Sequence, residues 1–197
     1  MSLIAQEDKN AAVAILNKGG ILAVPTETVY GLAVRLDNAN AIKKLLNLKN
    51  RAVDSGKILT IMLPEVNDIA DYAKISRKHM NLARHYFPGE LTLVLQKRSD
   101  FQHAYFDHFD TIGIRIPAHD YMLDLLHEAG PLLVTSANPR GEAPCRDSRE
   151  VQDRIKSIDG IVRGRAGGSL PSTIIDWSGE EPRQLRAGGL LIVRYSN

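Results

Sequence analysis

The apolar run Ile21-Leu22-Ala23-Val24 stops at Pro25, and Thr26, Glu27, Thr28, Tyr30 and Gly31 follow at once. Proline cannot donate to a strand ladder, so the run reads as a buried strand ended there. The design recurs. Lys57–Leu63 is closed by Pro64 and Thr111–Ile116 by Pro117, while Leu132–Thr135 runs directly into Ser136-Ala137-Asn138. Strand ends that deliver hydroxyls and charges into loops are where α/β proteins build sites. Taken singly, Thr26–Gly31 reads equally well as a polar strand-to-turn connection.

Between these strands, apolar residues recur at helical spacing. Residues 7–18 carry Ala12, Ile15 and Leu16 on one face and stop at Gly19-Gly20; residues 38–49 repeat the pattern with Ile42, Leu45, Leu46 and Lys49. Ser76 is placed to cap a helix reaching Tyr86, after which Phe87-Pro88-Gly89 turns into a strand at Leu91–Gln96. Helical periodicity returns over Tyr121–Glu128, and Asp147-x-x-Glu150 has the form of a capping box opening a helix near Ser148. Late strands are expected at Ile161–Arg163, Thr173–Asp176 and Gln184–Arg186, with Leu190–Val193 a further candidate. Helices alternate with strands early and strands crowd late. The expected fold is α/β (α+β in stricter schemes), a twisted mixed sheet of about seven strands with helices packed on its faces. No composition shift or linker divides the chain, so residues 1–197 are expected to form a single domain.

Several functions are disfavoured by composition. With 25 basic and 23 acidic side chains the net charge is +2, too small to attract nucleic acid in bulk. The lone Cys145 permits no intrachain disulfide and fits a reducing compartment. No apolar run approaches the roughly 20 residues of a membrane span, and the N-terminus lacks a signal-peptide pattern, so the cytoplasm is the expected location. There is no G-x-x-x-x-G-K-[ST], no strand-following G-x-G-x-x-G and no G-x-S-x-G. His79, His85 and His127 lie in charge-rich helical segments and read as solvated, while a His103/His108 pair lacks further metal ligands.

Chemistry concentrates instead in clusters. Lys49 continues an apolar helix face and Arg51 follows it, a compact charge and a planar fork suited to polyphosphate. An ordinary basic helix C-terminus would look the same. Arg115 sits inside the apolar strand Ile112–Ile116, where it is costly unless it meets an anion. Gly167-Gly168 leads through Ser169 to Ser172 and Thr173 at a strand start.

With these segments in order, the chain resembles the threonylcarbamoyl-adenylate synthase family (YrdC/TsaC), and most closely its short single-domain bacterial type. The residues that carry the resemblance are Pro25-Thr26-Glu27-Thr28-Val29-Tyr30-Gly31-Leu32, Lys49-x-Arg51, Phe87-Pro88-Gly89-x-Leu91-Thr92, Gly113-x-Arg115-Ile116-Pro117, Thr135-Ser136-Ala137-Asn138, Ser172-Thr173-x-x-Asp176 and Leu185-Arg186-x-Gly188. Each motif is weak alone; the ordered set covers almost the whole chain.

The resemblance implies a YrdC-like fold and a reaction joining L-threonine, bicarbonate and ATP into threonylcarbamoyl-adenylate with release of pyrophosphate. The product would pass to a threonylcarbamoyl transferase complex that modifies tRNA. By the same resemblance, Lys49 and Arg51 would hold phosphates, with Ser136 and Asn138 donating from the opposite wall. Thr28, Arg115, Thr135 and Ser172 would frame threonine, and Arg186 would lie near the nucleotide. ATP would be a substrate, with Mg2+ carried on its triphosphate. Glu27 receives no role. The family's strand histidine is absent from Lys57–Leu63, and Ala52, Glu90 and Ala187 stand where prolines are usual. Two alternatives remain. One is a non-catalytic double-stranded-RNA-binding or ribosome-maturation protein on the same fold, using Arg140, Arg146, Arg149, Arg163 and Arg165 as a basic face. That region carries nearly balanced charge, which favours a mixed surface. The other is a sibling branch without the Lys-x-Arg and Ser-x-Asn motifs, both of which this chain retains.

Overall fold

A computed structural model describes residues 1–50 and 59–192. Arg51, and the Lys57-Ile58 and Val193 ends of two expected strands, lie outside the described residues. The chain runs β1 (Ser2–Ile4), α1 (Lys9–Asn17), β2 (Leu22–Val24), β3 (Gly31–Arg35), α2 (Ala39–Leu48), β4 (Thr60–Met62), α3 (Ile69–Tyr72), α4 (Arg77–Tyr86) and β5 (Leu91–Gln96). It continues through β6 (Thr111–Arg115), α5 (Asp120–Ala129), β7 (Leu132–Ser136), α6 (Ser148–Arg154), β8 (Gly160–Val162), β9 (Thr173–Asp176) and β10 (Arg183–Arg186). Among the described residues, no helix is long and apolar enough to cross a membrane.

The sheet is mixed, as expected, in the order β1-β8-β2-β3-β7-β4-β6-β5-β9-β10. Among the described residues it has ten strands, more than the expected number of about seven. Two of them are invisible to pattern reading. Ser2–Ile4 is three residues long and defined by parallel pairing with β8. Gly31–Arg35 follows the polar loop with no turn signal, and Gly31–Val34 are all buried, so no alternation marks it. Leu190–Ile192, expected in a strand, is in none.

Helix boundaries follow local chemistry. Asn38 caps α2 through Oδ1, which accepts from Ala41 N at 2.9 Å. Asp147 caps α6, but Glu150 reaches back past the cap to accept from Arg146 N at 3.0 Å, so the expected box closes one residue early. His79 is not an idle surface residue. Its Nδ1 accepts from Ser76 N, closing a capping box at the start of α4, and its ring meets Trp177 edge-on at 4.9 Å.

Alternate residues of each strand serve opposite faces. Ala23, Leu32, Leu133, Ile61, Ile114 and Leu93 pack on the face covered by α2, α4 and α6. Leu22, Val24, Ala33, Val134 and Met62 look the other way, beneath Leu16 of α1 and Met122 and Leu125 of α5. That second face is apolar where α1 and α5 cover it. Further across the sheet it presents Gly31, Ser136, Thr60, Thr92 and Arg115 to a cleft.

Tyr30 links the polar loop to the sheet. Fully buried, it donates from Oη to the β8 carbonyl of Val162 at 2.9 Å, and burial raises its phenol far above the usual range. Tyr30→Phe is expected to lower the unfolding free energy by about 1–2 kcal/mol, through an unpaired carbonyl. A shifted urea midpoint at unchanged slope is the measurement.

Candidate functional site

The cleft encloses about 930 Å³ and is assembled by strand register. Antiparallel pairing of β3 with β7 sets Gly31 opposite Ser136 and Leu32 opposite Thr135, so the two polar strand ends lie side by side. Ala137 N donates to Tyr30 O at 2.7 Å, extending the contact beyond the ladder. Parallel pairing sets Met62 of β4 beside Arg115 of β6, and Thr92 of β5 beside Ile174 of β9. Thr28, Lys49, Arg115, Thr135, Ser136, Asn138, Ser172 and Arg186 all line this one cavity. Arg51, the remaining expected site residue, lies outside the described residues.

The loop after β2 is held by its own hydroxyls. Thr26 Oγ1 donates to Val29 O at 2.7 Å and accepts from Thr28 N at 3.1 Å; Thr28 Oγ1 lies 3.0 Å from it. From outside, Gly167 N and Gly168 N donate to Thr26 O and Thr28 O at 2.9 and 3.0 Å. A Cβ on Gly167 would sit 2.9 Å from Glu27 O, so this close backbone approach requires glycine.

Lys49 is brought in by the buried face of α2 and is itself buried. Its Nζ donates to Ser136 O at 3.0 Å, Asn138 O at 2.6 Å and Asn138 Oδ1 at 2.9 Å. Ser136 Oγ donates to the same Oδ1 at 2.7 Å. Lys49 therefore shares a wall with Ser136 and Asn138, a correction to the opposite-wall arrangement expected from sequence. Asn138 Nδ2 donates to Glu142 O at 2.8 Å, which tightens the turn. At the mouth, Arg140 Nη1 donates to Asn50 O at 3.2 Å, adding a cation that sequence reading had not placed in the cleft.

The far wall carries two more arginines. Arg115, only 4% exposed, donates from Nη2 to Thr28 Oγ1 at 3.0 Å and from Nε to Gly89 O at 3.2 Å. Ser172 Oγ lies 2.7 Å from Thr92 Oγ1. Arg186 donates to Ser172 O at 2.9 Å and Ser172 Oγ at 3.0 Å. The Arg186 residue is exposed overall, yet its guanidinium is drawn in over Ser172. Desolvation, then the nearby Arg115 charge, lowers its pKa below the usual value.

Lys49, Arg115, Arg140 and Arg186 thus line a cleft whose described lining contains no Asp or Glu. Cations gathered in a cleft with no carboxylate on its described lining favour an anionic ligand. Hydroxyls from Thr28, Thr92, Thr135, Ser136 and Ser172 add directional hydrogen bonding. Thr92 and Glu27 both lay inside motifs visible in the sequence. Their partners across the sheet were not visible there.

The Sua5/YciO/YrdC family model, described as telomere recombination, matches residues 14–188. The threonylcarbamoyl-AMP synthase of Mus musculus is 34% identical over 180 residues, covering 87% of this chain and 63% of that protein. The crystal structure of P. abyssi Sua5 complexed with L-threonine superposes with a TM-score of 0.89 at 30% identity, over 96% of this chain and 58% of that one. The crystal structure of E. coli YciO gives 0.86 at 27% identity and covers 96% of this chain and 97% of its own. The chain therefore spans about three fifths of the mouse and P. abyssi proteins and nearly all of YciO.

The Lys49 wall can be tested alone. Lys49→Met removes the Nζ donor from the backbone carbonyls of Ser136 and Asn138 and is expected to destabilise the fold by about 2–3 kcal/mol. Faster amide hydrogen exchange confined to residues 136–142 would accompany it.

Proposed function

We propose, since the chain belongs to the Sua5/YciO/YrdC family, that it is an L-threonylcarbamoyladenylate synthase working as one YrdC-like domain over residues 1–197. The threonine amine attacks the bicarbonate carbon, forming a C–N bond as a C–O bond breaks and water leaves, to give a carbamate. A carbamate oxygen attacks the α-phosphate of ATP, the bond to the β-phosphate breaks, and pyrophosphate leaves. The observation that carries this reading is a cleft whose described lining holds no carboxylate, with cations on two walls and the family's polar motifs brought together inside it.

Two anionic reactants must meet, so the barrier is one of positioning and charge compensation. Lys49, with Arg51, is assigned to the phosphates and the charge growing on pyrophosphate. Ser136 and Asn138 donate to phosphate oxygens from beside Lys49. Arg115 takes the threonine carboxylate, while Thr28, Thr135 and Ser172 frame the rest of the amino acid. Arg186, tied to Ser172, is assigned to the nucleotide. Hydroxyls and cations without carboxylates suit phosphate oxygens better than a divalent ion. Magnesium is accordingly assigned to the triphosphate. The product would pass, in the cytoplasm, to the threonylcarbamoyl transferase complex that modifies tRNA.

The double-stranded-RNA reading gains no support. Arg146, counted in the expected basic face, lies 3.9 Å from Glu150, and the neighbouring Arg154 is 3.0 Å from Glu142 and 3.7 Å from Glu150. These pairs leave a surface of mixed charge.

The test supplies threonine, bicarbonate, Mg-ATP and pyrophosphatase, and follows phosphate. Threonine-dependent release is expected, falling by about 10²–10³-fold in Ser136→Ala and in Arg51→Ala. Turnover that ignores threonine, or none at all, would overturn the assignment.

A further inference from the structure

Arg115 has a carboxylate partner that never enters the cleft. Glu27 Oε1 lies 2.8 Å from Arg115 Nη2, and the same oxygen accepts from Ala118 N at 2.7 Å. The Arg115 and Glu27 side chains are 5% and 13% exposed, and neither Glu27 nor Ala118 lines the cavity. Glu27 therefore grips the guanidinium from behind.

The grip is geometrically complete on one edge. Nη2 is shared between Glu27 Oε1 and Thr28 Oγ1, and Nε is held by Gly89 O. These contacts fix the plane of the fork and leave Nη1 without a hydrogen bond among the described residues. A buried guanidinium with no counter-charge would be expensive, and a free one would sample several rotamers. Glu27 removes both problems before any substrate arrives.

Glu27 Oε2 is buried without a hydrogen-bond partner among the described residues, as is Nδ1 of nearby His119. The ion pair already offsets the Arg115 charge, which suits that end of the cleft to a monoanion.

We propose that Glu27 is a positioning residue that orients Arg115 to receive the α-carboxylate of the amino-acid substrate. The assignment rests on the reading of this cleft as a threonine site. Glu27 touches no substrate and acts through Arg115 alone.

Steady-state kinetics of the full-length protein test it, with Glu27→Ala, Arg115→Ala, the double variant, and Glu27→Gln as the change most certain to fold. Glu27→Ala is expected to raise KM for threonine roughly 10- to 100-fold, with kcat and KM for ATP changed less than about threefold. Glu27→Gln, which keeps an acceptor at Oε1, should show a smaller rise in the same parameter. In the Arg115→Ala background, Glu27→Ala should add less than about twofold. A parallel rise in KM for ATP, or full additivity, would mean a general structural role and would overturn the proposal. If the parent protein shows no threonine-dependent turnover, the functional reading fails first. A crystal structure of Glu27→Ala then decides the positioning claim: a guanidinium displaced from Gly89 O and Thr28 Oγ1 upholds it, and an unmoved one rejects it.

Discussion

Pairing of β3 with β7 is the constraint on which the site depends. Five residue pairs, from Gly31↔Ser136 to Arg35↔Leu132, zip two strands whose polar ends emerge at the same edge. Because side chains alternate, a slip of one residue would turn Ser136 away from the cleft and bring Thr135 to its place. Buried Leu32 and Leu133 on one face, and Ala33 and Val134 on the other, make that slip prohibitive. Hydrophobic burial on both faces thus sets the positions of hydroxyls that contribute little to the core.

The same sheet explains why the cleft exists at all. One face is covered along its length by α2, α4 and α6 packing. On the other, α1 and α5 cover only the strands around β2, β3 and β7. Beyond their reach the cleft-facing positions are Thr60, Thr92 and Arg115, side chains that leave a polar floor where larger apolar ones would have demanded a lid. Architecture and chemistry agree here, which is the consistency a foldable sequence needs.

The element pattern was legible wherever the local signal was strong. The Ser76 cap, the β5 limits and the α2 face needed nothing beyond periodicity and capping chemistry. Gly31–Arg35 escaped because a strand buried on both faces carries no alternation, and Ser2–Ile4 because three residues hold no pattern. The site divides in the same way. Thr28, Arg115, Ser136 and Ser172 could be named from their motifs. The contact between Lys49 and Asn138 spans 89 residues of chain, and that between Glu27 and Arg115 likewise crosses the sheet, so neither was legible. Which wall each cation occupies is a property of topology.

That topology bears on why family membership leaves the chemistry to be argued residue by residue. A chain can share this sheet along nearly its full length, as YciO does, while the fold alone does not specify what is bound. Discrimination rests with how each cation is compensated. Arg140 is exposed at the mouth, where its charge stays available to an incoming ligand. Arg115 is offset by Glu27, and Arg186 is partly desolvated beside it. A cleft built for one polyphosphate alone would gain nothing from neutralising its most buried arginine. Uneven compensation makes sense where two anions of different charge must occupy one cavity and approach each other closely enough to react.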